Sequence, residues 1–187
     1  MKVLLGISNR HVHLTEEDYK TLFNDAPLEK VKDLVQPGEF ASNQKVSIKT
    51  EKSTINNVRL LGPLRKYSQV EISKTDSFTL GIKPPVRNSG DLENAEKITI
   101  VGPYGEVTKN CCIIATRHLH INKEDRIKYN LEGVEKVKVK IESEKSTIFE
   151  DVYVKENPNY VLELHLDTDD GNGSLAKTGD EVEIIKY

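Results

Sequence analysis

One short motif is written twice in this chain, and the duplication restricts the available folds more than any other feature. Ser8-Asn9-Arg10-His11-Val12-His13-Leu14 returns far downstream as Ala115-Thr116-Arg117-His118-Leu119-His120-Ile121. Four of the five histidines lie in these two R-H-x-H copies, and the fifth is His165. In an extended strand, side chains two apart share a face. His11 and His13 therefore aim two imidazoles at one point, as do His118 and His120, while Val12 and Leu119 turn to the opposite, apolar side. A single H-x-H is as readily polar strand surface as a metal site. A duplicated one that consumes nearly all the histidine points to ligands.

More of the chain repeats. Glu51-Lys52-Ser53-Thr54 recurs as Glu144-Lys145-Ser146-Thr147, each time joining two alternating runs. The first joins Val46–Lys49 to Ile55–Leu61, and the second joins Val137–Ile141 to a run over Phe149–Val154. Each is followed at a similar distance by a further alternating stretch, Val70-Glu71-Ile72 in one half and Leu164-His165-Leu166 in the other. Aligned with one residue of slippage, Glu71 falls opposite His165. Each half then offers three nitrogen or oxygen ligands: His11, His13 and Glu71, then His118, His120 and His165. Three such ligands leave a coordination position for water or substrate, as in catalytic zinc sites, whereas structural sites close with four, commonly thiolates.

Cys111 and Cys112 do not fit that role, since neighbours in a strand face opposite ways. They make no disulfide framework and predict buried reduced thiols in a reducing cytoplasm. A chain of 187 residues makes one large domain or two small ones, and 36% apolar against 30% charged residues suits two compact units. The net charge of −3 shows no basic footprint for nucleic acid. No run approaches a membrane span, and the N-terminal apolar run lacks the pattern of a signal peptide.

The local signals place the elements. Thr15 is an N-cap, with Asp18 in capping-box position, for a helix ending near Asn24-Asp25-Ala26-Pro27. Asn122 caps an equivalent helix, so each half reads strand, H-x-H, short helix. Leu28 to Phe40 ends in the turn signal Gln36-Pro37-Gly38. Lys83-Pro84-Pro85 through Asp91 is a loop. Ile98–Val101, a Gly102-Pro103-Tyr104-Gly105 turn, a strand into Ile114 and a last strand over Glu181–Ile185 complete the order. The fold expected is mostly β: two small β-barrels from an internal repeat, capped by two or three short α-helices.

Arg65, in Gly62-Pro63-Leu64-Arg65-Lys66, lies just ahead of Glu71. A guanidinium there offers a planar fork for phosphate or carboxylate, or a surface ion pair.

Taken together, S-N-R-H-V-H-L, G-P-L-R-K-x-x-Q-V-E-I-S-x-T-D, G-I-K-P-P-V-R-x-S-G-D-L, R-H-x-H and L-H-x-D-T-D resemble, in order and over essentially the whole chain, the PduL-type phosphate acyltransferases. This is the phosphate propanoyltransferase family, associated with bacterial microcompartments and propanediol degradation and, in some bacteria, with soluble acetate metabolism. The resemblance implies conversion of acyl-CoA (propanoyl-CoA or acetyl-CoA) and phosphate to acyl phosphate and CoA, with two zinc ions per chain. It implies one zinc on His11, His13 and Glu71 and the other on His118, His120 and His165. Arg65 matches the phosphate-binding, catalytic arginine, and the coenzyme A contacts fall on Ser8, Lys32, Arg59, Leu61, His165 and Asn172.

It also implies that the first strand joins the C-terminal barrel, giving a central barrel over 11–116 and a second barrel over 117–187 plus 1–10. A homodimer is implied as well, with an acyl-phosphate-using kinase as metabolic neighbour. Microcompartment members carry an N-terminal amphipathic extension; here only Met1-Lys2 precede the first apolar run, so the expectation is a diffusible cytoplasmic enzyme. Phosphate attacking the thioester directly, with no covalent enzyme intermediate, is the expected mechanism. A binuclear zinc thioester hydrolase and a non-enzymatic zinc-binding protein are the alternatives.

Overall fold

A computed structural model describes residues 1–187. The first half of the chain forms β1 (Lys2–Ser8), β2 (His11–His13), α1 (Glu16–Phe23), β3 (Lys30–Asp33), β4 (Phe40–Lys49), β5 (Thr54–Gly62), β6 (Gln69–Glu71), α2 (Lys74–Leu80), β7 (Val86–Arg87) and β8 (Glu96–Val101). The second half forms β9 (Glu106–Ala115), β10 (His118–Ile121), α3 (Lys123–Lys128), β11 (Lys136–Ile141), β12 (Thr147–Glu156), β13 (Glu163–Asp167), α4 (Thr168–Gly173) and β14 (Glu181–Ile185). No helix is long and apolar enough to cross a membrane.

The chain divides into two compact units: barrel A, from Arg10–Leu34 and Gly38–Ala115, and barrel B, from Met1–Asn9, Val35–Pro37 and Thr116–Tyr187. In barrel A the strands run β4-β5-β2-β6-β9-β8, and β8 pairs back onto β4, so six strands close the ring. β3 and the two-residue β7 are short additions at its margins. In barrel B the closed order is β11-β12-β10-β13-β1-β14.

Pair by pair the two rings correspond. The H-x-H strand lies parallel to the strand after the E-K-S-T turn, as β2 to β5 and β10 to β12. It lies antiparallel to the third-ligand strand, as β2 to β6 and β10 to β13. The strand leading into each H-x-H serves the other ring: β1 pairs with β13 and β14, while β9 pairs with β6 and β8. Each repeat therefore contributes its first strand to the barrel of the other.

Strand alternation fills the barrels. Lys136–Ile141 reads KVKVKI with Val137, Val139 and Ile141 buried, and Val182 and Ile184 meet them from β14. Barrel A is filled likewise by Val46, Ile48, Val58, Leu60, Val70, Ile98 and Ile100. Val12 and Leu119, the residues between the paired histidines, are fully buried in these cores. Each buried aliphatic side chain of this size stabilises the fold by about 1.5–3 kcal/mol. That burial fixes which way the strand faces, and the flanking histidines must project to the opposite side.

The helices are short and held by their N-caps. Thr15 accepts from the backbone N of Asp18, Asn122 from that of Asp125, and Asp167 from that of Asp170. Two sequence expectations change. The Asp18 carboxylate does not complete a capping box; it turns inward to the Lys109 ammonium at 2.7 Å and the Ser68 hydroxyl. The reciprocal box forms instead on α2, between Ser73 and Asp76. There are four helices instead of two or three, because α2 and α4 each follow a third-ligand strand. The Gly-containing TDDGNG of α4 has weak intrinsic helix propensity, so its cap and tertiary packing carry it.

Candidate metal centres

In barrel A the β2–β6 register sets His11 directly opposite Glu71. His11 Nε2 lies 3.5 Å from a Glu71 carboxylate oxygen, and the His11 and His13 rings sit edge to face with centroids 5.0 Å apart. In barrel B the β10–β13 register sets His118 opposite His165. There the ring centroids are 4.9 Å apart for His118 and His165, 4.7 Å for His118 and His120, and 4.5 Å for His120 and His165. In each triplet one ligand atom per residue lies within 4.8 Å of the others. A zinc ion held about 2.0–2.2 Å from three such donors requires only small side-chain rotations to gather them.

The state of the imidazoles fits a metal. His13 Nδ1 is buried and makes no hydrogen bond, the condition of a nitrogen whose lone pair is reserved for an ion. Its ring also bonds the Leu61 backbone. His118 Nδ1 lies 2.8 Å from the Thr116 carbonyl, so the N–H donates there and Nε2 keeps its lone pair. Burial, reinforced by neighbouring positive groups, holds His13 and His118 well below the ordinary histidine range. The neutral ring is the form a metal binds.

The arginine of each R-H-x-H copy is committed to holding the strand in place. Arg10 grips Asp76 through Nε at 2.9 Å and Nη2 at 2.7 Å. Arg117 grips Asp170 through Nε at 2.7 Å and Nη2 at 2.9 Å, and its guanidinium stacks on Phe149 at 4.7 Å. Both aspartates sit in the first turn of the helix that follows the third-ligand strand. The motif therefore ties the H-x-H strand to α2 in one barrel and to α4 in the other.

Arg65 is held in barrel A by Glu39 at 2.9 Å and by the Tyr67 and Ser89 hydroxyls, each at 3.3 Å. It is linked to the Glu71 triplet. Ser89 Oγ accepts from the Gln69 amide, and the same amide donates to the Glu71 carboxylate. Of the positions expected to contact coenzyme A, Lys32 is an exposed cation on β3. Arg59 pairs with His11 across β5 and β2 and donates to the Ser42 carbonyl, and Leu61 lies half-buried on β5. In barrel B, Ser8 ends β1 opposite Asp167, His165 is the third member of the candidate triplet, and Asn172 is exposed on α4.

Sequence reasoning missed Glu163, Gln36 and Gln69. The buried Glu163 carboxylate bonds His165 Nε2 at 2.8 Å and receives the Gln36 amide at 3.0 Å. Burial works to raise its pKa, but the bonds from His165 and Gln36 outweigh it and hold the carboxyl below its ordinary value. The available signal was the strand alternation itself, since Glu163 and Gln69 lie two residues before His165 and Glu71. Cys111 and Cys112 are free and buried. Burial pushes the Cys111 thiol up to about 12 and raises Cys112 as well.

The chain is similar over nearly its whole length to known proteins. The family model described as phosphate propanoyltransferase matches residues 4–177. The chain is 46% identical to a phosphate propanoyltransferase of Thermotoga maritima, over 99% of this chain and 90% of that one. It is 42% identical to one from Levilactobacillus brevis, over 99% and 89%. It is also 42% identical to one from Salmonella typhimurium, over 92% and 83%.

Proposed function

We propose, from a chain that belongs to the phosphate propanoyltransferase family, an enzyme that moves a short acyl group between coenzyme A and inorganic phosphate, with one zinc ion in each triplet. The observation that carries this reading is the repeated triplet: equivalent strands of two equivalent barrels bring three ligand-capable side chains within 4.8 Å twice over.

Zinc, when bound, supplies a Lewis acid that polarises a carbonyl and accepts oxygen or thiolate donors. Arg65 receives phosphate. A guanidinium carries five N–H donors, and Glu39, Tyr67 and Ser89 fix its plane while donors remain for an oxyanion. Phosphate is already a nucleophile at neutral pH and needs no general base. One of its oxygens attacks the thioester carbonyl carbon, the carbon–sulfur bond breaks, and the electron pair leaves on sulfur as the thiolate of coenzyme A. The chain's part is to orient two anionic reactants. Lys32 and Arg59 supply positive charge suited to the phosphates of coenzyme A. Ser8, Leu61, His165 and Asn172 complete the proposed contacts.

The test is CoA release from propanoyl-CoA and acetyl-CoA with and without phosphate, alongside elemental analysis. The expected result is about two zinc ions per chain, from the two triplets, and release that requires phosphate. Phosphate-independent release would instead identify a thioester hydrolase. Full activity of a zinc-free protein in chelator would remove the metal from the mechanism.

A further inference from the structure

Each third ligand is held by the residue two positions ahead of it on the same strand. In barrel B that residue is Glu163, bonded to His165 Nε2 at 2.8 Å. In barrel A it is Gln69, whose amide nitrogen donates to Glu71 Oε1. The partners are chemically matched to what they hold: a carboxylate accepts from an imidazole N–H, and an amide donates to a carboxylate. We propose that these are the positioning residues of the two centres, Glu163 fixing the His165 ring so that Nδ1 faces the ion, and Gln69 fixing the Glu71 carboxylate. The proposal rests on the metal reading given above.

Both holders are themselves immobilised. Gln69 is fully buried; its Oε1 accepts from Gly90 N at 2.8 Å and its Nε2 donates to Ser89 Oγ at 2.9 Å. This orients the amide with nitrogen toward Glu71. Glu163 is held by Gln36, whose Nε2 also donates to the Val161 carbonyl at 3.0 Å and whose Oε1 accepts from Val161 N at 3.1 Å. The backbone of Val161 thus sets which end of the Gln36 amide meets the carboxylate.

The strand alongside has been shaped to admit it. Gly6 on β1 pairs with His165, and a Cβ there would lie 2.8 Å from Glu163 Oε1, the carboxylate oxygen not bonded to His165, and 3.2 Å from the carboxylate carbon. At the corresponding position of barrel A, β9 presents Ile113 opposite Glu71. The glycine therefore accompanies the buried carboxylate, and the repeat does without it where the holder is an amide.

Such outer partners typically alter metal affinity by about 10–100-fold. The experiment is zinc titration against a competing chelator, resolving two sites, on the intact protein and on Glu163→Gln, Gln69→Leu and Gly6→Ala. Glu163→Gln should weaken one site by about 10–100-fold and leave the other within about twofold. Gln69→Leu should weaken the other site alone. Gly6→Ala, which retains every polar group and only displaces the carboxylate, should reproduce the Glu163→Gln effect. Unchanged affinities, or equal loss at both sites, overturn the proposal.

Imidazole nitrogen NMR on zinc-free protein separates it from the metal reading. His165 should be a single Nε2–H tautomer that becomes mixed in Glu163→Ala. Zinc binding with a mixed tautomer in the parent protein overturns the positioning role alone. A fixed tautomer with no zinc bound overturns the metal reading and supports the hold of Glu163 on His165.

Discussion

Acid should unfold the metal-free protein earlier than its composition suggests, and two buried imidazoles set the amount. His13 in barrel A and His118 in barrel B are kept neutral in the folded chain chiefly by burial, with pKa values well below 6.5. In the unfolded chain each returns to about 6.5. A histidine depressed in this way contributes its full stability above the unfolded pKa. That stability drains away as pH falls toward the folded value, because only the unfolded state takes up the proton. Between pH 7.5 and pH 5.5 the unfolded pKa alone limits the loss to at most about 1.4 kcal/mol for each histidine, so at most about 1.4 for each barrel if they unfold separately and about 2.8 if together. Against a typical domain stability of about 5–15 kcal/mol this moves a urea midpoint visibly.

The assay is urea unfolding in chelator at pH 7.5, 6.5 and 5.5, for the parent and for a His13→Asn, His118→Asn variant. The variant should lose most of the pH dependence over that window. Saturating zinc should hold the midpoint up to a lower pH, since protons and metal compete for the same lone pairs. A parent midpoint that does not fall by pH 5.5, or a variant that keeps the whole dependence, would refute the assignment.

Arg65→Ala should raise the phosphate concentration needed for half-maximal rate more than that for acyl-CoA, and Arg65→Lys should restore little, since an ammonium cannot present a fork; equal effects on both substrates would make Arg65 a structural or coenzyme A-binding residue instead. Arg10→Ala leaves the buried Asp76 without its bidentate partner and should cost about 2–3 kcal/mol in urea unfolding; Arg10→Lys should recover part of this. Cys111, with its thiol pushed up to about 12, should react with an aromatic disulfide reagent only after denaturation, and rapid labelling of native protein would contradict its burial.

The fold was legible wherever alternation was strong and repeated. Lys136–Ile141 announces its buried face residue by residue, and the paired E-K-S-T turns announce that one unit occurs twice. The gathering of the two candidate triplets was legible for the same reason: a two-residue period puts both histidines of H-x-H on one side whatever the surroundings. Other features depended on distant partners. The sequence shows Arg10 and Arg117 only as members of the repeated motif, and nothing in it points to Asp76 and Asp170, the residues that hold them. Asp18 has the right spacing for a capping box, but the ammonium of Lys109, on a distant strand, offers its buried carboxylate a stronger partner. Gln36 lies in a turn signal that gives no hint of Glu163, far along the chain. Helix α4 could not be read from propensity, because its glycines oppose the helix that its cap and packing impose.

The strand exchange governs the order in which the molecule is completed on the ribosome. β1 emerges early, yet its Leu4 must wait for Glu163 of β13. At about 5–20 residues per second, that interval of about 160 residues lasts roughly 8 to 32 s. β2 follows β1 almost at once, but the ring that receives β2 closes only when β9 is made. The nascent chain thus carries an apolar strand, Val3 and Leu5 included, with no partner until β13 and β14 appear. Barrel A seals first, from the middle of the message, while the earliest segment is the last to find its place. A stalled or truncated chain lacking β13 and β14 would leave that strand as an open edge, and such edges recruit other chains.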